Sequence, residues 1–420
     1  MIGGFVLTTL IGYYLLDALA KLLNLKSLET QVPSEFSDVF DENRYRRSQE
    51  YTRTNTWFDL VVSTTMLATL LAFWFLGGFE SLDHLIRRLH LSNVLPGLLY
   101  LGALCVARET LMLPFTIYHT FVIEQRYGFN RTTVGTFVVD RLKEWSLSAL
   151  LMGGFASIVL ILFEFFGLRA WIAAWICTAA ISVILIYLAP TVILPFFFKF
   201  SPVPAGELRD QVTDFCLRQR FPIRELLVID GSRRSSKANA FFTGFGPNKR
   251  IALYDTLINN HTVPELLAVL AHEVGHFKKH HIIQHFVFGQ FNLLLLFLGA
   301  SFCISRPELF EAFGVTTPSY YVGLALYLIL IRPPALLLSI FINFWSRQHE
   351  FEADRFAAEA LGDPIPLIQA LKRLSKDSLS NLTPHPLLVG LHFTHPPVLA
   401  RVLALKISAG SRSRANTAPT

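Results

Sequence analysis

Residues 263–277 read VPELLAVLAHEVGHF, with His272 and His276 four positions apart and Glu273 between them. Pro264 near the start, followed by Ala and Leu at helical spacing, predicts a helix through the stretch. On a helix, positions i and i+4 share a face, so both imidazoles can reach one metal ion, while Glu273 points toward the water that would react. The pattern is HExxH, and it calls for one zinc ion per chain. Zinc lowers the pKa of a coordinated water to about 7, and a neighbouring carboxylate can then take its proton during attack on a peptide carbonyl. Because HExxH also arises by chance, two surface histidines on an ordinary helix is the competing reading until a third ligand is found.

A catalytic zinc takes three protein ligands and keeps one position open. The best candidate for the third is Glu350, in a second stretch of helical character, residues 343–354, NFWSRQHEFEAD. Glu350 and Asp354 are again four apart. Glu350 can coordinate the metal while Asp354 hydrogen-bonds the second nitrogen of a ligating histidine. His349 and Glu352 fall on other faces of that helix and read as solvated or structural. Sequence alone gives no distance between the two helices.

Outside these stretches the chain is apolar: 52% of its 420 residues are hydrophobic and only 16% charged, with a mean hydropathy of +0.44. An average soluble domain is about a quarter charged, so this composition points to a membrane protein. Seven segments approach the roughly 20 residues that span a bilayer, near 2–24, 57–78, 94–118, 145–167, 171–198, 286–304 and 319–345. The first has no basic leader and carries Asp17 and Lys21, so it reads as a retained span rather than a signal peptide. The expected organisation is helices one to five in 1–198, a cytoplasmic segment with the HExxH helix in 199–285, and helices six and seven in 286–345. The rest of the protease domain would follow in 346–407, with a disordered Ser/Arg/Ala/Pro tail in 408–420.

Basic residues accumulate on the cytoplasmic side of membranes. Lys26, Arg44, Arg46, Arg47 and Arg53 follow the first span, and Arg126, Arg131, Arg141 and Lys143 the third. The N-terminus is therefore expected outside and the C-terminus inside, which brings HExxH and Glu350 to the same cytoplasmic face. The net charge of +6 is distributed through loops in this manner and calls for no nucleic acid. Sequons at Asn130, Asn260 and Asn381 fall on that side and are expected to be unmodified. Asp17, Asp59, Arg108 and Glu109 lie within apolar segments and fit either a hydrated interior or structural ion pairs. Four cysteines without a CxxC pair indicate neither a disulfide framework nor a thiolate metal site.

In the soluble segment, 226–230 and 250–254 read as strands, with 238–242 a possible third. An exposed edge beside the HExxH helix could take up an extended peptide by strand addition. Ordinary hairpin structure is the alternative.

HEVGH, the downstream 346–354 stretch SRQHEFEAD, and 391–397, LHFTHPP, together resemble the Ste24 type of CAAX prenyl protease, a family of membrane zinc metalloproteases. The likeness extends to 124–130, EQRYGFN, to 195–204, PFFFKFSPVP, and to 236–245, SKANAFFTGF, and so covers most of the chain. It implies an all-α polytopic membrane protein, seven helices around a water-filled chamber, with a zincin-like protease domain containing a small β element. It also implies removal of the C-terminal tripeptide from prenylated Cys-a-a-X proteins. By the same resemblance Asn239 and Ala240 lie along bound peptide, His395 stands beside it where it can stabilise an oxyanion, and Arg401 is a partner of the same site. A structural cap of the His-Pro-Pro turn is the alternative for His395, and His280, His281, His285, His385 and His392 have no matching role. The expected partners are a peptide or protein substrate, prenylated or not, and membrane lipid, with the chain a monomer in a bacterial inner membrane or the endoplasmic reticulum membrane. Two other classes compete: a quality-control metalloprotease of the HtpX-like branch, and a polytopic transporter with an incidental HExxH. A transport cycle has no use for a zinc-hydrolase constellation.

Overall fold

The computed structural model describes residues 2–243 and 249–416. The apolar segments form long helices: α1 (Ile2–Lys26), α2 (Glu42–Phe75) and, after the short α3 (Gly78–Arg87), α4 (Leu95–Tyr118), α5 (Val134–Phe166) and α6 (Ala170–Leu188). Asp41 caps α2 by accepting from the Arg44 amide at 2.8 Å, and Thr133 caps α5 by accepting from the Thr136 amide. α5 ends where Gly167 takes φ +54°, in the left-handed region that favours glycine. The chain then turns through Gly167–Arg169, and α6 packs back against α5.

Five helical stretches among the described residues are long and apolar enough to cross a membrane: Ile2–Lys26, Glu42–Phe75, Leu95–Glu124, Val134–Phe197 and His281–Ile304. Tyr320–Leu330 and Arg332–Leu361 make a sixth if the pair, bent by 52°, is one crossing. The expected spans 145–167 and 171–198 correspond to the two arms of Val134–Phe197 that meet at the Gly167–Arg169 turn, the second ending one residue past Phe197. The expected span 319–345 is not one straight helix. Pro333 and Pro334 at its break lack the N–H that would continue the hydrogen-bond ladder. Apolar side chains such as Leu150, Phe165 and Ile176 are exposed along these helices, as lipid-facing surface requires.

After the one-turn α7 (Leu194–Phe197) the chain leaves the bundle and builds a four-stranded sheet from β1 (Phe200–Pro202), β2 (Glu225–Ile229), β3 (Ala240–Thr243) and β4 (Arg250–Tyr254). The spatial order is β1-β2-β4-β3, with β2 and β4 parallel and β3 antiparallel to β4. β3 is therefore an edge strand. α8 (Glu207–Arg218) and the short α9 (Asp255–Asn260) flank the sheet, and the HEVGH helix α10 (Val263–Lys278) follows. Phe215, Ile251 and Leu253 share one core with Leu266, Leu270 and Val274 of α10 and Leu367 of α15 (Ile365–Asp377). A separate core of Phe79, Tyr100, Phe163, Phe297, Phe310 and Leu326 holds the bundle. It includes residues of α11 (His281–Ile304), α12 (Pro307–Ala312) and α13 (Tyr320–Leu330).

α14 (Arg332–Leu361) joins the two halves. The boundary expected between 345 and 346 lies inside this continuous helix. α14 packs along α10, and Gly275 allows the close approach: a Cβ there would meet the Ala353 Cα at 3.1 Å and its carbonyl oxygen at 3.2 Å. α16 (Pro386–His392) and α17 (Val398–Asn416) close over the other sides of α14. The stretch from Ser408 to Asn416, whose composition reads as disordered, continues α17 as helix, since nothing in it forbids propagation from the packed turns before it. Residues 417–420, and Gly244 and Phe245 of the 236–245 motif, lie outside the described residues.

Candidate active site

α10 begins cleanly because the Glu265 side chain accepts from the Thr262 amide at 2.8 Å and Pro264 occupies the first turn. Three turns later His272 and His276 turn their Nε2 atoms toward each other at 3.2 Å. Glu350 comes across from α14, with Oε2 3.4 Å from His272 Nε2 and Oε1 3.3 Å from His276 Nε2. Among the described residues, these three form the group of histidine, cysteine and acidic side chains able to hold a metal ion. The two helices that sequence could not relate by distance thus meet at the expected residues.

Asp354, one turn beyond Glu350, reaches the far nitrogen of His272: Oδ1 lies 2.9 Å from Nδ1. Burial disfavours a charged imidazole, but the Asp354 and Glu350 carboxylates outweigh it and push His272 up to about 9. The field at this point therefore favours positive charge. Arg401 of α17, only 7% exposed, holds Asp354 from behind through Nε at 2.8 Å and Nη2 at 2.6 Å, with Nη1 3.2 Å from Glu350. Burial opposes its charge, yet Asp354 and Glu350 hold its pKa above the usual arginine value. Arg401 thus lies behind the carboxylates rather than on an open side of the site.

Glu273 is half-buried on α10, and its carboxylate contributes to the negative field that holds Arg401 charged. His395 is mostly exposed, with Nε2 3.3 Å from Glu350 Oε1 and Nδ1 2.9 Å from the Thr394 hydroxyl. Asn239 is exposed and sits just ahead of β3, its carbonyl accepting from the Tyr254 amide at 3.0 Å and its side chain from the Ala240 amide at 2.9 Å. β3 runs beside α10, where Phe242 packs against Phe277 with ring centroids 5.8 Å apart.

The residues that sequence passed over lie on the other side of His276. The chain turns through His280, at φ +59°, so that His281 opens α11 and folds back on α10. Its Nδ1 is 3.0 Å from His276 Nδ1, and its Nε2 is 3.1 Å from Glu352 Oε2. His349, expected to be solvated or structural, is buried and stacks on His281 at 3.9 Å, with Nδ1 3.2 Å from His285 Nε2. Among the charges of the apolar segments, Asp17 pairs with Lys21 at 2.9 Å and with His392 at 2.8 Å. Arg108 and Glu109 pair with each other at the surface, and Asp59 is exposed.

Comparison with known proteins bears on this arrangement. Residues 21–199 match the family described as CAAX prenyl protease N-terminal, five membrane helices, and residues 202–409 match peptidase family M48. A probable CAAX prenyl protease 1 of Schizosaccharomyces pombe is 35% identical over 393 residues, covering 90% of this chain and 82% of that protein. A CAAX prenyl protease 1 homolog of Arabidopsis thaliana is 32% identical, covering 94% of this chain and 96% of its own. The crystal structure of S. mikatae Ste24p superposes with a TM-score of 0.91 at 29% identity, over 96% of this chain and 98% of that one.

Proposed function

The chain belongs to peptidase family M48 and is an integral membrane metalloprotease, and from that premise we propose that it is a zinc endopeptidase of the CAAX prenyl protease type. His272, His276 and Glu350 would hold the metal, and Glu273 would act as general base. The observation that carries the ligand assignment is the convergence of three donors at 3.2 to 3.4 Å from one another. A tetrahedral site with ligands about 2.0–2.1 Å from its centre has donors about 3.3 Å apart. Glu350 Oε2 also fits: it is buried, near Arg401 Nη1, and accepts no hydrogen bond, which leaves a lone pair free.

When bound, the metal supplies Lewis acidity to a coordinated water and to the scissile carbonyl. The rest of the chemistry belongs to side chains. Glu273 takes the proton of the attacking water at its carboxylate and returns it to the departing amide nitrogen. His395 donates from Nε2 to the oxygen on which negative charge develops. Asp354, itself gripped by Arg401, keeps the proton of His272 on Nδ1 and its Nε2 free for the metal. Arg401 is thus a positioning residue. The β3 edge, entered at Asn239 and Ala240, offers main-chain groups to an extended substrate, a mode that fixes register and asks little of side chains.

Substrate class is the furthest step of this reading. Its support is the CAAX prenyl protease activity for which the relatives are named, together with an apolar helix bundle able to shelter an isoprenoid near a protease site. A seven-crossing arrangement is supported by the division of Val134–Phe197 at the Gly167 turn and by the bent pair α13 and α14, and the basic loops support a cytoplasmic site. Zinc analysis and peptide cleavage on two variants test the chemistry. Glu273→Gln is expected to keep wild-type zinc content and lose cleavage by several orders of magnitude, whereas Glu350→Ala loses both. Normal turnover in zinc-loaded Glu273→Gln, or normal zinc content in Glu350→Ala, would overturn the assignment.

A further inference from the structure

His276 has two ring nitrogens, and the ligand reading uses one. Its Nε2 faces His272 and Glu350, while its Nδ1 faces His281 Nδ1 at 3.0 Å. On the far side of that ring, His281 Nε2 faces Glu352 Oε2 at 3.1 Å. The protons along this line can be arranged in one way. Glu352 as a carboxylate only accepts, so the His281 proton on that side sits on Nε2. A neutral His281 then presents a bare Nδ1, which accepts from His276 Nδ1–H. With its proton on Nδ1, His276 has an unprotonated Nε2 aimed at the metal position.

We propose that His281 and Glu352 form a proton-ordering relay that holds His276 as the tautomer competent to bind metal, and that both are positioning residues of the active site. The inference rests on the assignment of His276 as a ligand. It makes the two histidine ligands equivalent in design. His272 is ordered directly by Asp354 at 2.9 Å, and His276 is ordered by Glu352 through one intervening imidazole. Both carboxylates come from α14, Glu352 two residues and Asp354 four residues after Glu350, so the helix that supplies the third ligand also orders the first two. His281 is 1% exposed and its ring lies within 7° of the His349 plane, so it cannot swing away from the line. Groups that hold a ligating histidine in this way are worth about 10- to 100-fold in metal affinity.

The test measures zinc affinity of the full-length protein in detergent by competition with a chelating dye, alongside the melting temperature of the metal-stripped protein. Glu352 is half exposed, so Glu352→Ala leaves packing intact. That variant is expected to bind zinc about 10- to 100-fold more weakly with an unchanged metal-free melting temperature. Glu352→Gln, whose amide oxygen still accepts from His281 Nε2–H, is expected to recover most of the loss, and His281→Ala is expected to match Glu352→Ala in affinity. His276→Ala serves as the reference. If it weakens zinc binding while Glu352→Ala and His281→Ala bind as wild type, the relay is overturned and the ligand assignment stands. If His276→Ala itself binds zinc as wild type, the ligand assignment fails and the relay with it.

Discussion

Arg401 is a charge withdrawn from water and held by two carboxylates, with Asp354 gripped through two nitrogens at 2.6 and 2.8 Å. Removing one partner of such a buried set leaves the other charges uncompensated, at a cost of about 3–5 kcal/mol. Arg401→Ala is therefore expected to lower the melting temperature of the metal-free protein, and Arg401→Lys to restore little of it, because an ammonium cannot reproduce the two-pronged geometry. Melting curves of the stripped variants check both, and a wild-type curve for Arg401→Ala would contradict the burial argument. At this scale the ligand spacing was legible, since i and i+4 positions on a helix share a face in any fold. His281 was not. It lies five residues past His276 across a helix break, and its carboxylate partner is 71 positions away, so no local spacing announces it.

Between elements, the decisive contact is α10 against α14, and Gly275 sets its distance. A methyl at that position would press on the Ala353 backbone at 3.1 to 3.2 Å, and backbone in a packed helix yields less readily than a side-chain end. Gly275→Val is expected to destabilise the protein by about 1–3 kcal/mol through overpacking. It should also weaken zinc retention on dialysis, because the histidines and Glu350 ride on opposite helices. Undiminished retention would show that the site does not depend on this approach. The strands at 226–230 and 250–254 were readable within a residue from their β-branched and aromatic content, and the edge placement of β3 agrees with the expectation for 238–242. The bend in 319–345 and the helix through 408–416 were harder to read. Hydropathy measures how apolar a segment is but says little about where two prolines redirect it, and tail composition omits the packed turns from which a helix propagates.

At the scale of the molecule, segments remote in sequence close on one another around the site. Lys237, two residues before Asn239, reaches Glu124 at 2.9 Å and the Tyr51 hydroxyl at 2.9 Å, while the Ser236 amide donates to the Phe129 carbonyl. His392 next to the C-terminal His-Pro-Pro turn meets Asp17 of the first helix. The motifs at 124–130, 236–242 and 391–397 are thus parts of one assembly, a relation that sequence carried only as resemblance because none of these contacts is local. The bundle supplies apolar surface, and each buried methylene of an isoprenoid is worth about 0.8 kcal/mol, so a sheltered farnesyl group could dominate affinity. Strand addition at β3 contributes register without strong sequence preference. The most direct measurement reconstitutes the purified protein in liposomes and follows one Cys-a-a-X peptide, farnesylated and unmodified, by mass spectrometry, before chelation, after it, and after zinc is returned. The account predicts one cut after the lipidated cysteine, faster for the farnesylated peptide at low concentration, lost on chelation and restored by zinc. Scattered cuts at equal rates for the two peptides, or cleavage that survives removal of the metal, would contradict it.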